Sequence, residues 1–152
     1  MIIGSISENK NIEKRISLVP EIIKKYISNG FEVILEEGIG SHIGFDDNMF
    51  KELGCKLDKK ENVLKNADIL LQVNFPEESN FNKFKQNNIL IGNFNSTQNI
   101  ENIKKLDLNK TSVFSMELLP RITRAQSMDI LSSQANLAGY KAVVDSFSKF
   151  SR

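Results

Sequence analysis

The segment from Pro120 to Ser133 holds the densest set of side chains that could recognise a small molecule. Two arginines lie in a predicted loop just ahead of a predicted helix. Gln126, Asp129 and Ser132 then recur every three residues, so we expect them to share one face of that helix. Together these groups supply hydrogen-bond donors and acceptors suited to a carboxamide or a ribose. The N-terminus of the helix would in addition favour a phosphate.

The same residue types also fit a structural role in starting a helix. Thr123 and Gln126 have the spacing of a capping box, in which two side chains satisfy free backbone N–H groups reciprocally. Asp129 would then lie in an early turn and suit the helix dipole. From residue types alone, the binding and structural interpretations are equally open.

A charged loop follows the first predicted strand and contains Glu8, Glu13, Lys14 and Arg15. At the carboxyl end of a parallel strand, such a loop faces the usual ligand crevice of an α/β fold. Arg15 could bind a carboxylate or a phosphate there through two parallel hydrogen bonds. The alternative is a solvated loop that binds nothing.

The glycine-rich stretch from Gly38 to Gly44 lacks the spacing of a dinucleotide-binding fingerprint. Its third glycine comes one residue late for G-x-G-x-x-G, and the next predicted helix cap is further on, at Asp46. We therefore interpret the stretch as a turn and His42 within it as a surface residue.

Composition argues against several other classes of site. With one cysteine, Cys55, and one histidine, His42, neither an intrachain disulfide nor a His/Cys metal site is expected. The 20 basic and 19 acidic side chains give a net charge of +1, so no nucleic-acid partner is expected. No stretch approaches the roughly 20 apolar residues that cross a bilayer, so direct membrane insertion is not expected.

Strands and helices are predicted to alternate along the chain. The predicted strands are 2–6, 31–35, 67–73, 89–91 and 112–116, and the predicted helices are 20–29, 46–53, 61–66, 80–86, 98–106 and 126–150. This alternation predicts an α/β fold with a mainly parallel sheet and helices on both faces, a Rossmann-like or flavodoxin-like three-layer arrangement. We expect one domain over residues 1–152 that ends in a long C-terminal helix, with an apolar stripe of Leu131, Ala135, Ala138 and Ala142.

The run from Pro120 to Val144 closely resembles a signature of the NAD-binding alpha subunits of proton-translocating NAD(P) transhydrogenases. These belong to the family of alanine dehydrogenase/transhydrogenase N-terminal domains. Shorter matching motifs occur in the same order at residues 13–20, 38–40, 45–47 and 71–76. The resemblance covers essentially the whole chain.

The resemblance implies a part in hydride transfer between NAD(H) and NADP(H), coupled to proton translocation across a membrane. Arg121 and Asp129 would orient the nicotinamide carboxamide, and Gln126 would position the ring or its ribose. Gln126 and Asp129 are thus the expected catalytic residues. The expected cofactor-binding residues are Arg121, Ile122, Thr123, Arg124, Gln126, Asp129 and Ser132.

The resemblance also implies partners. A Rossmann domain, expected to follow the long helix and absent from these 152 residues, would hold the adenosine and pyrophosphate of NAD(H). NADP(H) would bind to a partner subunit or domain, and protons would move through membrane-spanning components. We expect a homodimer, located peripherally at the cytoplasmic face of the inner (plasma) membrane. The 152-residue chain alone is expected to be inactive and to bind NAD(H) weakly or not at all.

Two other functions are weighed against this one. Alanine dehydrogenases of the same fold family have a substrate lysine where this chain has Asn74, and a catalytic histidine near Asn95. Neutral amides can be neither the cation nor the proton shuttle, so amino-acid oxidation is disfavoured. Gln72 replaces a lysine often found in the family, and its role is open. The third hypothesis is a non-catalytic assembly domain.

Overall fold

A single parallel sheet organises the first part of the computed structural model, which describes residues 1–150. Within those residues, the sheet has six strands: β1 (Ile2–Ser5), β2 (Glu32–Glu36), β3 (Lys56–Asp58), β4 (Ile69–Leu71), β5 (Ile89–Gly92) and β6 (Ser112–Ser115). Their order is β3-β2-β1-β4-β5-β6, and all neighbours are parallel. The chain builds outward from β1 on one side and from β4 on the other. The crevice beyond the carboxyl ends of β1 and β4 is therefore the topological switch point, where open α/β sheets bind ligands.

The first two helices begin where the sequence predicts. The helices are α1 (Pro20–Ser28), α2 (Asp47–Glu52), α3 (Lys60–Asn66), α4 (Ile100–Lys105) and α5 (Ile130–Lys149), with 3₁₀ turns at Ser41–Ile43, Glu78–Lys83, Leu106–Asn109, Met116–Leu118 and Thr123–Met128. Pro20 occupies the first turn of α1, where its missing N–H is no loss. Asp46 caps α2, because its carboxylate accepts a hydrogen bond from the Met49 N–H at 2.9 Å.

Apolar side chains cover both faces of the sheet. Along β2, Ile34 packs into one core layer while Val33 and Leu35 pack into the other. The first layer includes Val63, Leu64 and Leu70, and the second includes Leu18, Ile23 and Phe50. The alternation confirms the predicted three-layer α/β class, since residues two apart on a strand share a face.

The chain forms two compact units, Met1–Ser115 and Met116–Arg152. The first contains the sheet and α1 to α4, and the second contains the segment with Arg121 and Arg124, followed by α5. No residue of α5 is buried, so the predicted apolar stripe from Leu131 to Ala142 is exposed. None of the helices among residues 1–150 combines the length and apolar character needed to span a bilayer.

The secondary structure differs from the prediction in three places. The edge strand β3 was not predicted, because its Lys-Leu-Asp sequence has neither β-branched residues nor an apolar run. The predicted helix 80–86 is the 3₁₀ turn Glu78–Lys83. The last helix begins at Ile130 rather than at residue 126, because Asp129 is its N-cap.

Candidate functional site

A cleft of about 430 Å³ lies within the second unit, at the start of α5. It is lined by Leu119, Pro120, Arg121, Ala125, Gln126, Asp129 and Ser132, and is called the α5 cleft below. It brings together four of the seven residues predicted to bind cofactor. The other three, Ile122, Thr123 and Arg124, are exposed and do not line it.

Asp129 is the N-cap of α5. One of its carboxylate oxygens accepts hydrogen bonds from the N–H groups of Leu131 and Ser132, each at 3.0 Å. The other accepts from the Ser132 hydroxyl at 2.6 Å. The Ser132 hydroxyl bond, the two backbone N–H bonds and the charge of Arg121 hold the pKa of Asp129 below its ordinary value. The cleft therefore contains a fixed, ionised carboxylate.

This cap corrects the predicted arrangement of the polar residues. Gln126 lies in the 3₁₀ turn Thr123–Met128, Asp129 is the cap, and Ser132 is in the first turn of α5. The three do not share a helical face, and the turn and its cap bring them to one cleft. The capping box was also wrong, because Thr123 makes no cap bond and the capping role belongs to Asp129.

The backbone donors that would favour a phosphate at this helix terminus are already in use. The N–H groups of Leu131 and Ser132 already donate to the Asp129 carboxylate. An incoming phosphate would meet a like charge where free donors were expected. The α5 cleft instead suits a polar group without negative charge.

The cleft combines free polar groups with an apolar wall. The exposed side chain of Gln126 makes no hydrogen bond within residues 1–150, so its amide can donate and accept. Arg121 adds a planar set of donors. Leu119, Pro120 and Ala125 supply apolar surface, which was not predicted because apolar residues in a loop have no distinctive chemistry. A flat ring with an amide substituent fits these groups.

A second cleft, the switch cleft, lies at the topological switch point of the sheet. It has a volume of about 290 Å³ and is lined by Ile6, Ser7, Glu8, Asn9, Ile12, Lys60, Gln72, Asn74, Phe75, Pro76, Glu77 and Asn80. Glu8 accepts hydrogen bonds from the N–H groups of Val73 at 2.7 Å and Asn74 at 3.3 Å. Burial raises the pKa of Glu8, and the nearby charge of Glu13 adds to this.

The structure places Arg15 outside this lining set. Its Nε donates to one oxygen of Glu13 at 2.9 Å, and its Nη2 donates to the other at 2.7 Å. Glu13 thus occupies the fork that was expected to bind a carboxylate or a phosphate. His42 is exposed, as predicted, and its Nε2 lies 2.7 Å from the carbonyl oxygen of Lys14.

Metal and thiol chemistry find no support in the described part of the chain. Residues 1–150 contain no group of three or more His, Cys, Asp or Glu side chains placed to hold a metal ion. Cys55 is buried, and burial raises the pKa of its thiol to about 11. A thiol with such a pKa is a poor nucleophile near neutral pH.

The parallel sheet and its switch crevice place the chain in the Rossmann-like class of α/β proteins. The family model described as "Alanine dehydrogenase/PNT, N-terminal domain" matches residues 4–138. The chain belongs to that family.

Three known proteins show how similar this chain is to individual relatives. The NAD(P) transhydrogenase subunit alpha of Haemophilus influenzae is 35% identical over 150 residues, which cover 99% of this chain and 29% of that protein. The structure of a transhydrogenase from Sinorhizobium meliloti matches all of this chain and 46% of its own, with a TM-score of 0.92 and 36% identity. Alanine dehydrogenase 1 of Staphylococcus aureus is 26% identical over 144 residues, covering 95% of this chain and 38% of that protein. The chain spans less than half the length of each.

Proposed function

We propose that this chain forms one wall of the NAD(H) site of an NAD(P) transhydrogenase. The observation that supports this most directly is the meeting of Arg121, Gln126, Asp129 and Ser132 in the α5 cleft. These are the four residues that the motif resemblance assigns to the nicotinamide end of NAD(H). Similarity to transhydrogenase alpha subunits supports the same assignment.

Direct hydride transfer between two nicotinamides requires orientation rather than a protein nucleophile. The donors of Arg121 face the carboxamide oxygen, and the fixed carboxylate of Asp129 accepts from the carboxamide nitrogen. Ser132 keeps that carboxylate in place through its 2.6 Å hydrogen bond. Gln126 positions the ring or its ribose. The nicotinamide itself supplies the carbon that donates or accepts the hydride.

Other components complete the proposed enzyme. A nucleotide-binding Rossmann domain holds the adenosine and pyrophosphate, and NADP(H) binds to a partner subunit or domain. Membrane-spanning components move the protons, and the assembly is a homodimer in its NAD-binding part, at the cytoplasmic face of the membrane. The fixed charge of Asp129 fits this division, because it disfavours a pyrophosphate next to the cap. The chain alone is therefore inactive and binds NAD(H) weakly.

The test is a titration of the 152-residue chain with nicotinamide mononucleotide, followed by amide-resolved NMR. We expect weak, millimolar binding, with shift changes concentrated between residues 119 and 132. NAD(H) should bind no more tightly, because its adenosine half has no site on this chain. Micromolar binding of NAD(H) in calorimetry, or shift changes confined to other residues, would contradict the proposal.

An alanine-dehydrogenase-like function has less support. Asn74, where that reading needs a lysine, lines the switch cleft, whereas Asn95, near its expected histidine, does not. Neither amide is a cation or a proton carrier near neutral pH. Oxidation of alanine by the chain together with a nucleotide-binding domain would reverse this preference.

A further inference from the structure

The loop between β1 and α1 crosses the carboxyl end of the sheet without a buried side chain. Residues 7–15, called the strap below, border the switch cleft, and its lining includes Ser7, Glu8, Asn9 and Ile12. None of the strap residues is buried, and Ile12 is 81% exposed. A segment with no side chain in the core opens at low free-energy cost, so its polar contacts decide how firmly it is held.

Side chains tie the strap to the ends of β2 and β4 and to the turn after β2. The N–H of Ser7 donates to Oε2 of Glu36, the last residue of β2, at 2.7 Å. Oε1 of Glu8 accepts from the N–H of Val73, just after β4, at 2.7 Å. Nε2 of His42 lies 2.7 Å from a carbonyl oxygen of the strap. Each of these tethers joins a titratable side chain to a backbone group, so a change of charge there alters how the strap is held.

Glu8 is the tether whose surroundings are least favourable to a charge. Its side chain is half-buried, and the side-chain amide of Asn74 bonds both to its carboxylate and to that of Glu13. Two carboxylates that share one donor lie close enough to repel each other, so one of them is driven towards the protonated form.

The neighbouring cations do not remove this effect at Glu8. Arg15 pairs with Glu13 at 2.7 Å, and its charge acts less strongly on Glu8. Burial is the largest cause of the raised pKa of Glu8, and the charge of Glu13 adds to it. The hydrogen bond from Arg15 lowers the pKa of Glu13, so Glu8 is the first of the two carboxyls to take up a proton. The other charged groups near Glu8 are Glu36 on β2, Lys60 on α3 and Glu77 after β4.

We propose that the strap is a proton-linked closure of the switch cleft, which closes as Glu8 takes up a proton and opens as Glu8 ionises. Closing carries the carboxyl of Glu8 out of water to its half-buried place beside Glu13. A protonated Glu8 still accepts from the N–H of Val73 through its carbonyl oxygen, so the closed geometry is kept. The closure is independent of the proposed nicotinamide site, because the strap and its tethers lie wholly within the first unit.

The direction of the pH dependence follows from the two carboxyls. When the strap is open, Glu8 is in water and titrates near 4.5, below its raised pKa in the closed strap. Its contribution to closure is therefore fully present below pH 4.5 and is lost as pH rises through the raised value. The pKa of Glu13 is lowered, so its contribution is present above pH 4.5 and is lost as pH falls through the lowered value. The change expected above pH 4.5 comes from Glu8 and not from Glu13.

The experiment is amide hydrogen exchange of the 152-residue chain, measured by NMR from pH 4.5 to neutrality. The N–H of Val73 reports closure, because its exchange requires its bond to Glu8 to open. Its protection factor, corrected for the intrinsic exchange rate, should fall about tenfold for each pH unit between 4.5 and the midpoint of the Glu8 titration. Carbon-13 NMR of the Glu8 carboxyl gives that midpoint. Val73 should stay less protected than Leu70, in the core of β4, because the strap opens without global unfolding.

Two variants and a matched control test the assigned groups. Glu8→Gln removes the titrating carboxyl but keeps a carbonyl oxygen for the N–H of Val73, so it should flatten the pH profile of Val73 protection. Glu13→Gln removes the like charge and frees Arg15, so it should move the midpoint of the Glu8 titration towards 4.5. Glu32→Gln, at an exposed carboxylate at the amino end of β2, should leave both quantities unchanged.

Several outcomes would overturn the proposal. They are a Val73 protection factor that does not change above pH 4.5, protection of Val73 equal to that of Leu70 at every pH, or a folded Glu8→Gln chain with the pH profile of the unchanged chain. If Glu8→Gln fails to fold, the Glu13→Gln variant decides, and an unmoved Glu8 midpoint in it would contradict the proposal. Failure here would leave the mononucleotide titration at residues 119–132 unaffected, so the strap and the α5 cleft are judged separately.

Discussion

Gln126→Leu separates binding from stability more cleanly than any other change in the α5 cleft. The side chain is exposed, has no hydrogen bond within residues 1–150, and lies outside α5 and its cap. Its removal should change the free energy of unfolding by less than about 0.5 kcal/mol, as for most surface substitutions. Each hydrogen bond to a nicotinamide contributes about 0.5–1.5 kcal/mol, so each lost bond should weaken binding roughly twofold to tenfold.

The assay pairs a nicotinamide mononucleotide titration with a urea unfolding curve for the same variant. Gln98→Leu, at an exposed glutamine in the first unit, is the matched control and should change neither quantity. Unchanged affinity in the folded Gln126→Leu variant would refute the assigned role of Gln126. A loss of stability as large as the loss of binding energy would indicate that Gln126 is structural instead.

Three further predictions concern the cap, the switch cleft and the core. Asp129→Ala should speed amide hydrogen exchange in the first turn of α5, whereas Asp129→Asn should keep the cap. Because the pKa of Asp129 is lowered, the stability that its carboxylate contributes is fully present above pH 3.8 and is lost as pH falls through the lowered value. The pKa of Glu8 is raised above 4.5, so stability should fall as pH rises from 4.5 through the raised value, and Glu8→Gln should flatten that slope in denaturant unfolding. Gly92→Ala would force a Cβ into the carbonyl oxygen of Gln72, and overpacking should cost about 1–3 kcal/mol or more in thermal unfolding. Gly139→Ala, with no atom within 4 Å of the new Cβ, should not destabilise.

The sequence predicted the fold class because hydrophobic runs and helix caps recur at βαβ spacing. Pro20 and Asp46 correctly predicted the starts of α1 and α2, because the first-turn proline and the capping carboxylate act within their own helices. β3 could not be found in this way, because it is a three-residue edge strand whose partner is the backbone of β2. Its place depends on pairing rather than on its own side chains.

The candidate site was only partly predictable for a similar reason. A spacing of three residues fits both a helical face and a turn followed by a cap, so the sequence alone predicts Gln126 and Asp129 on one helix. The carboxylate of Asp129 accepts three hydrogen bonds at the terminus, and this fixes the start of α5. In the switch cleft, Glu8 bonds to the N–H of Val73, 65 residues away, a contact that no local pattern indicates.

A structure of the chain assembled with its nucleotide-binding and NADP(H)-binding components, with NAD(H) bound, tests the central proposal most directly. We predict that the nicotinamide carboxamide lies within hydrogen-bond distance of Arg121 and Asp129, with Gln126 beside the ring or its ribose. A nicotinamide bound elsewhere, with these three side chains facing solvent, would contradict it.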